Sequence, residues 1–197
     1  MEQMKRRNVE ISVVLPCYNE AEHISKSIPE LIEFLDNTKL KYELILIDDC
    51  SKDGTRREIQ RLSKRYPSIR WSFNEKNIGR GGTVSEGIKM SKGKIVGFID
   101  IDLEIPPGYI LPAYIQIKKG YDIVTAHRIY KFNIRKIMRW ITTKGYVILM
   151  RRMLNVPFLD TEAGFKFFNK SRILSILEEI KDKRWFWDTE VMVRSYY

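Results

Sequence analysis

The chain has 197 residues, 44% hydrophobic, 30% charged and 12% aromatic, with 35 Lys and Arg against 25 Asp and Glu for a net charge of +10. Composition and length are those of a globular chain able to bury roughly 70% of its unfolded surface, which excludes disordered, collagen-like and low-complexity classes. No apolar run approaches the ~18–20 residues of a membrane span, and the opening MEQMKRRNVE lacks the apolar core of an export signal.

Ile11–Leu15 reads as a first strand and Glu20–Asn37 as a helix, with Ile24, Ile28, Leu31, Ile32 and Leu35 at helical spacing. Glu43–Ile47 is a second strand, followed by a helix over Asp53–Tyr66 with Ser51 as its N-cap. A strand at Ile69–Phe73, a helix at Gly82–Ser91, a strand at Lys94–Ile99, a helix at Pro107–Lys118 and a strand at Asp122–Ala126 continue the alternation. Gly164–Phe168 reads as a further strand. Trp185–Glu190 opens a last helix, whose carboxylates either face the cleft or form an ordinary acidic first turn. The runs at 11–15, 44–47 and 95–99 are nearly continuous Val, Ile and Leu, as in strands covered on both faces. The predicted class is α/β: an open, mostly parallel sheet with helices on both faces, without repeat or linker. Cys17 and Cys50 make neither a disulfide framework nor a zinc pattern; they read as small buried residues near strand ends in a reducing, cytoplasmic compartment.

Such sheets bind ligands at the carboxyl ends of their strands. The residues there are Pro16-Cys17-Tyr18-Asn19-Glu20, Asp48-Asp49, Asn74, Asp100-Ile101-Asp102 and His127-Arg128, a polar and acidic edge. Asp100 and Asp102, just past a buried strand, suit a hard divalent cation that bridges the phosphates of a nucleotide, and Glu104 offers a third oxygen. Asp48-Asp49 reads as a carboxylate gripping a base or ribose, or as helix capping by Asp49, Ser51 or Asp53. Asn77-Ile78-Gly79-Arg80-Gly81-Gly82 matches no standard phosphate loop. It is a tight turn needing positive φ, or it lines a nucleotide pocket with Arg80 near phosphate. His23 and His127 have no partner placed for a triad.

The charge is uneven. No acid occurs from Ile123 to Leu159, which carries Arg128, Lys131, Arg135, Lys136, Arg139, Lys144, Arg151 and Arg152; taking these eight from the excess of +10 leaves only +2. Such a local basic device points to a phosphate-bearing partner or an anionic surface. If Ile134–Leu154 is helical, Arg135, Arg139 and Thr143 share one face, while Ile134, Ile137, Met138, Ile141 and Ile148 lie mostly on the other. Three readings stand: a helix lying on a membrane with Trp140 and Tyr146 at the headgroup boundary, a solvated basic face over a core helix, or a nucleic-acid contact.

VVLPCYNEAEHI at the first strand, LILIDDCSKDGT at the second, NIGRGGTVSEGI before the fourth, FIDIDLEIPP after it and DTEAGFKFF near Asp160 occur in order. Together they resemble the family-2 glycosyltransferases of GT-A fold. Within these the likeness is to polyprenyl-phosphate sugar transferases, such as dolichyl-phosphate mannosyl- and glucosyltransferases, and it runs from Ile11 to about Arg194. The resemblance implies that Pro16, Tyr18, Glu20, Ile47 and Asp49 hold the nucleotide. It implies Mg²⁺ or Mn²⁺ at Asp100, Asp102 and Glu104, with Asp102 in a catalytic role. Arg128, Arg139 and Thr143, with Lys144 beside them, match positions that meet the lipid phosphate and the donor's sugar end; Asp160 and Glu190 match positions lining the acceptor side. Residues 1–197 would form a single catalytic domain lacking its C-terminal part, and 130–155 a basic amphipathic, membrane-facing segment. Two departures stand out. Glu104 occupies a position where Gln is common, and relatives continue beyond Tyr197 with a strand, a basic loop over the diphosphate and often membrane helices.

The implied activity is inverting, metal-dependent transfer of a hexose from UDP-glucose or GDP-mannose to a polyprenyl phosphate at the cytoplasmic membrane face. The partners are the nucleotide sugar, the lipid acceptor and a peripheral membrane surface, with no nucleic acid; oligomeric state is left open. A hydroxyl acceptor needs a general base, whereas a phosphate monoester is already an anionic nucleophile and needs positioning by groups such as Arg128 and Arg139. The alternatives are transfer to a polysaccharide or protein hydroxyl, with Asp160 or Asp188 as base, and a non-catalytic nucleotide- or membrane-binding module.

Overall fold

The computed structural model describes residues 8–127, 152, 157 and 160–197. Strands β1 (Ile11–Cys17), β2 (Tyr42–Asp48), β3 (Ile69–Phe73) and β4 (Ile95–Ile99) alternate with helices α1 (Ala21–Asn37), α2 (Thr55–Arg65) and α3 (Arg80–Met90). A 3₁₀ turn at Pro107–Tyr109 leads into α4 (Ile110–Lys118) and β5 (Ile123–Thr125); β6 (Phe165–Asn169), α5 (Lys170–Glu179) and α6 (Trp187–Tyr196) follow. The strands and helices expected within the described residues are found, with bounds shifted by up to three residues; α5 is an addition to them.

The six strands form one sheet in the order β3-β2-β1-β4-β6-β5. β1 runs parallel to both β2 and β4, pairing Val14 with Ile45 on one side and with Phe98 on the other. β3 is parallel to β2, whereas β6 is antiparallel to both neighbours, with Ile99 opposite Phe165. The sheet is therefore mostly parallel, as predicted, but β6 is wedged between the two preceding strands. That insertion brings the start of β6 to the carboxyl end of β4. The segment between β5 and β6 consequently leaves and re-enters the sheet at that same edge, tied by Ala126 N–H to Phe165 O at 3.3 Å and Asp100 N–H to Gly164 O at 3.0 Å.

Alternation along the strands feeds two cores. Ile11, Val13, Leu15, Leu44 and Leu46 pack on Ile24, Ile28, Leu31 and Leu35 of α1, Ile59 and Leu62 of α2 and Ile110 of α4. Val14, Ile45, Ile47, Val96 and Phe98 face Val84 and Ile88 of α3, Ile173 of α5 and Trp187 and Val191 of α6. The Asn77–Gly82 glycines serve this second layer. Gly79 sits at φ +87°, and a Cβ on Gly81 would come within 2.3 Å of the Trp187 side chain, so only glycine lets α3 and α6 approach this closely. Among the described residues no helix is long and apolar enough to cross a membrane.

Candidate active site

The order reverses at β1, so the crevice between β1 and β4 is the switch point where α/β sheets of this kind bind ligands. Its rim is built on strained backbone: Asn19, Cys50 and Leu103, which follow β1, β2 and β4, have φ of 57°, 66° and 52°. Positive φ is costly for a residue such as Leu, and such strain gathers at ligand-binding edges.

The loops after β1 and β2 are stitched together. Asn19 N–H donates to Ser51 Oγ (2.8 Å) and Lys52 N–H to Asn19 Oδ1 (2.9 Å), while Glu20 N–H reaches Thr55 Oγ1 (2.8 Å) and Ala21 N–H Asp53 Oδ2 (3.2 Å). The predicted N-cap Ser51 is thus a loop tie. α2 starts four residues later, where Asp53 Oδ1 accepts from Thr55 N–H (3.0 Å), because a cap must lie within reach of the first free amides. Pro16 is half-buried and Tyr18 half-exposed on this rim. Glu20 Oε2 lies 2.6 Å from His23 Nδ1, and the Ile47 side chain is wholly buried in the α3-side core.

The two acids after β2 have separate work. Asp48 is buried against Arg56 Nε (2.6 Å) and Ser51 N–H, while Arg56 Nη2 also donates to Asn74 O (2.8 Å). Asp49 Oδ1 accepts from Asn74 Nδ2 (3.0 Å) and Ile78 N–H (2.9 Å), and its Oδ2 from Gly79 N–H (2.9 Å). Asp49 therefore anchors the loop that leads into α3, a role the sequence reading did not assign to it.

From that loop Arg80 bridges two carboxylates. Its Nε and Nη2 donate to Asp100 Oδ1 at 2.9 and 2.7 Å, and its Nη1 to Asp188 Oδ2 on α6. Lys166 of β6, wholly buried, donates at 2.7 Å both to Asp188 Oδ1 and to Ala163 O. Both cations lie over the Phe98 ring, at 5.0 and 5.3 Å from its centroid. Burial pushes the Arg80 pKa down, but the charges of Asp188 and Asp100 outweigh it and raise it. At Lys166 burial wins over the Asp188 charge, and its pKa is lowered. Lys166 escaped the sequence reading because it stands inside a Phe-rich strand; a lysine at an inward strand position was the available signal.

Asp100 is 40% exposed and Asp102 is exposed. Asp102 Oδ1 accepts from Glu104 N–H (3.1 Å), and its Oδ2 has no partner among the described residues. No cluster of three or more Asp, Glu, His or Cys with metal-holding geometry occurs among the described residues, so these acids do not form an all-protein cage. They fit a hard cation of the Mg²⁺ type, which takes one or two carboxylates and completes its shell with water and ligand phosphates.

Asp160, half-buried, accepts from Glu162 N–H (3.1 Å), and its charge is felt at Lys166. Glu190 faces the turn before α6. It accepts from Lys181 N–H, Asp182 N–H (3.0 Å) and Arg194 Nε (2.9 Å); burial pushes its pKa up, but these bonds prevail and lower it. Arg128, Arg139, Thr143 and Lys144, with the expected helix over 134–154 and nearly all of the 130–155 segment, lie outside the described residues.

A mostly parallel sheet with an acid-bearing crevice at its switch point and an antiparallel strand wedged beside it is a GT-A-like glycosyltransferase fold. The chain belongs to glycosyl transferase family 2, whose family profile matches residues 12–177. It is 29% identical to the glycosyltransferase AglD of Haloferax volcanii, over 95% of this chain and 31% of that protein. It is 28% identical to a dolichyl-phosphate beta-glucosyltransferase of Dictyostelium discoideum, over 94% of this chain and 62% of that one. The chain thus spans between about a third and two thirds of these relatives' length. Among solved structures it resembles the mannosyltransferase PcManGT of Pyrobaculum calidifontis in complex with GDP-Man and Mn²⁺ (TM-score 0.60, 15% identity, 84% of this chain and 46% of that one). It also resembles S. aureus TarS 1–349 in complex with UDP-GlcNAc (TM-score 0.58, 18% identity, 93% and 53%). At these identities the structures speak for the fold alone.

Proposed function

We propose that this chain carries the donor site of an inverting transferase that moves a hexose from a nucleotide sugar, UDP-glucose or GDP-mannose, to a polyprenyl phosphate at the cytoplasmic face of a membrane. The observation that carries the reading is where the acid-free segment is tethered. Ala126, near its start, and Gly164, a few residues beyond it, are both hydrogen-bonded at the sheet edge that presents Asp100 and Asp102. The dolichyl-phosphate beta-glucosyltransferase among the relatives supports the same acceptor class.

In this reading an oxygen of the lipid phosphate attacks C1 of the sugar from the face opposite the diphosphate. The C1–O bond to the nucleoside diphosphate breaks, and the configuration inverts. Arg128 and Arg139, with Thr143 and Lys144, hold the attacking phosphate by charge-assisted hydrogen bonds. Tyr18, Glu20 and the Asp49 loop border the nucleotide end of the crevice. A divalent cation, Mg²⁺ or Mn²⁺, would be held by Asp102 with Asp100 and Glu104 nearby, and supplies neutralisation of the charge on the departing diphosphate. A hydroxyl acceptor would call on Asp160 or Asp188 as base. Asp188 is poorly suited, because it is buried and both of its oxygens are occupied by Arg80 and Lys166. Exposed Trp185 and Phe186, flanked by exposed Lys183 and Arg184, add a basic, aromatic surface of the kind that rests on anionic lipid.

The test is transfer from radiolabelled nucleotide sugar to dolichyl phosphate. Arg139→Ala should abolish transfer and leave nucleotide binding intact. Retained transfer in Arg139→Ala, with loss only in Asp160→Asn, would assign a hydroxyl acceptor instead.

A further inference from the structure

We infer that Lys166 and Asp188 are positioning residues that, acting through Arg80, fix the Asp100 carboxylate at the donor edge. The inference rests on the donor-site reading above and names two residues that the family likeness does not assign to that site.

The contacts close into a ring. Asp100 Oδ1 receives two N–H groups of Arg80, Arg80 Nη1 reaches Asp188, and Asp188 Oδ1 receives Lys166 Nζ. Lys166 Nζ also donates to Ala163 O. The next residue, Gly164, accepts from Asp100 N–H through its carbonyl, and its Cα abuts Asp100 Oδ2 so closely that a Cβ there would sit 1.8 Å from that oxygen. One oxygen of the acid is therefore held by α3, and the other is crowded by the segment before β6. α6 and β6 supply the groups that aim the arginine.

Stability does not account for such a ring. Lys166 is 0% exposed and Asp188 4% by side chain, and a buried ion pair of this kind is often replaced by apolar side chains of similar volume without loss of stability. What the ring adds is orientation. Arg80 presents the Nε/Nη2 edge of its planar fork to a single oxygen of Asp100, and it holds that pose only while Nη1 is anchored on Asp188. Asp188 in turn is charge-balanced by Lys166. Without Lys166, Asp100 and Asp188 compete for one guanidinium, and the buried acid draws it inward.

The discriminating experiment is calorimetric titration of UDP and GDP, with and without Mn²⁺, into wild type, the double variant Lys166→Met with Asp188→Leu, and Arg80→Lys. The double variant removes one charge of each sign and keeps the volume, so its unfolding midpoint should stay near that of wild type. Its Mn²⁺-dependent nucleotide affinity should fall roughly 10–100-fold, as is usual when a group orienting a metal-site carboxylate is lost, while binding without metal is unchanged. Arg80→Lys keeps the charge but cannot bridge two carboxylates, and should show the same selective loss; it decides the matter if the double variant does not fold. Wild-type Mn²⁺ dependence in a folded double variant or in Arg80→Lys would overturn the inference. Absence of Mn²⁺-dependent binding in wild type would overturn the donor reading itself, and the inference with it.

Discussion

Gly164→Ala tests the packing of the site by adding a single methyl group. A Cβ at Gly164 would lie 1.8 Å from Asp100 Oδ2 and 2.5 Å from its Cγ, whereas real Cβ contacts essentially never fall under 3.0 Å, so the gap must open by about 1.2 Å. The carboxylate cannot retreat freely. Its other oxygen is held by Arg80 at 2.7 and 2.9 Å, and a displacement of that size breaks at least one of these bonds. Overpacking of this kind costs about 1–3 kcal/mol. A displacement of about 1 Å at a reacting site costs on the order of 100-fold in rate. The expected outcome is a lowered unfolding midpoint together with a large loss of metal-dependent nucleotide binding. Gly108→Ala is the control, since a Cβ there meets nothing within 4 Å, and its effect should stay within about 0.5 kcal/mol. A Gly164→Ala protein with wild-type melting and wild-type metal-dependent binding would refute the reasoning.

Two further outcomes follow from the packing and the charges. Gly81→Ala places a Cβ 2.3 Å from Trp187 Cβ and Cγ, at the contact between α3 and α6, and should destabilise by about 1–3 kcal/mol in urea unfolding. Glu190 has its pKa lowered from an ordinary 4.5, so the unfolded chain takes up its proton first as acid is added. Its contribution to stability is complete above that value and is lost as pH falls through the lower, folded one. Glu190→Gln should therefore flatten the decline in melting temperature between pH 6 and pH 3, and an unchanged pH slope would contradict the assignment of its bonds.

Much of the fold was legible because its strands are covered on both faces. Uninterrupted runs such as Ile45-Leu46-Ile47 and the helical spacing of Ile24, Ile28, Leu31 and Leu35 report burial directly. The place of β6 was not legible, since strand order depends on pairings between distant segments and Phe165–Asn169 fits several neighbours equally well. The acidic edge was found because the carboxyl ends of parallel strands share one side of a sheet, so Asp49, Asp100 and Asp102 could be brought together from strand positions alone. The ring behind them was not. Arg80 and Asp188 are 108 residues apart, and nothing local marks Asp188 as the partner of a buried lysine rather than as an acid in a first helical turn. The glycines after Asn77 suggested a loop near phosphate. Gly79 and Gly81 instead lie against Lys183, Arg184 and Trp187, a contact that only the packed structure discloses.

The donor site is the centre of the account, and calorimetry of UDP, GDP, UDP-glucose and GDP-mannose with and without Mn²⁺ tests it most directly, in wild type and in Asp102→Asn. The expected result is Mn²⁺-dependent binding of one nucleotide and its sugar, and loss of the metal dependence in Asp102→Asn. Binding that ignores both metal and the substitution, or no binding of any of the four, would contradict it.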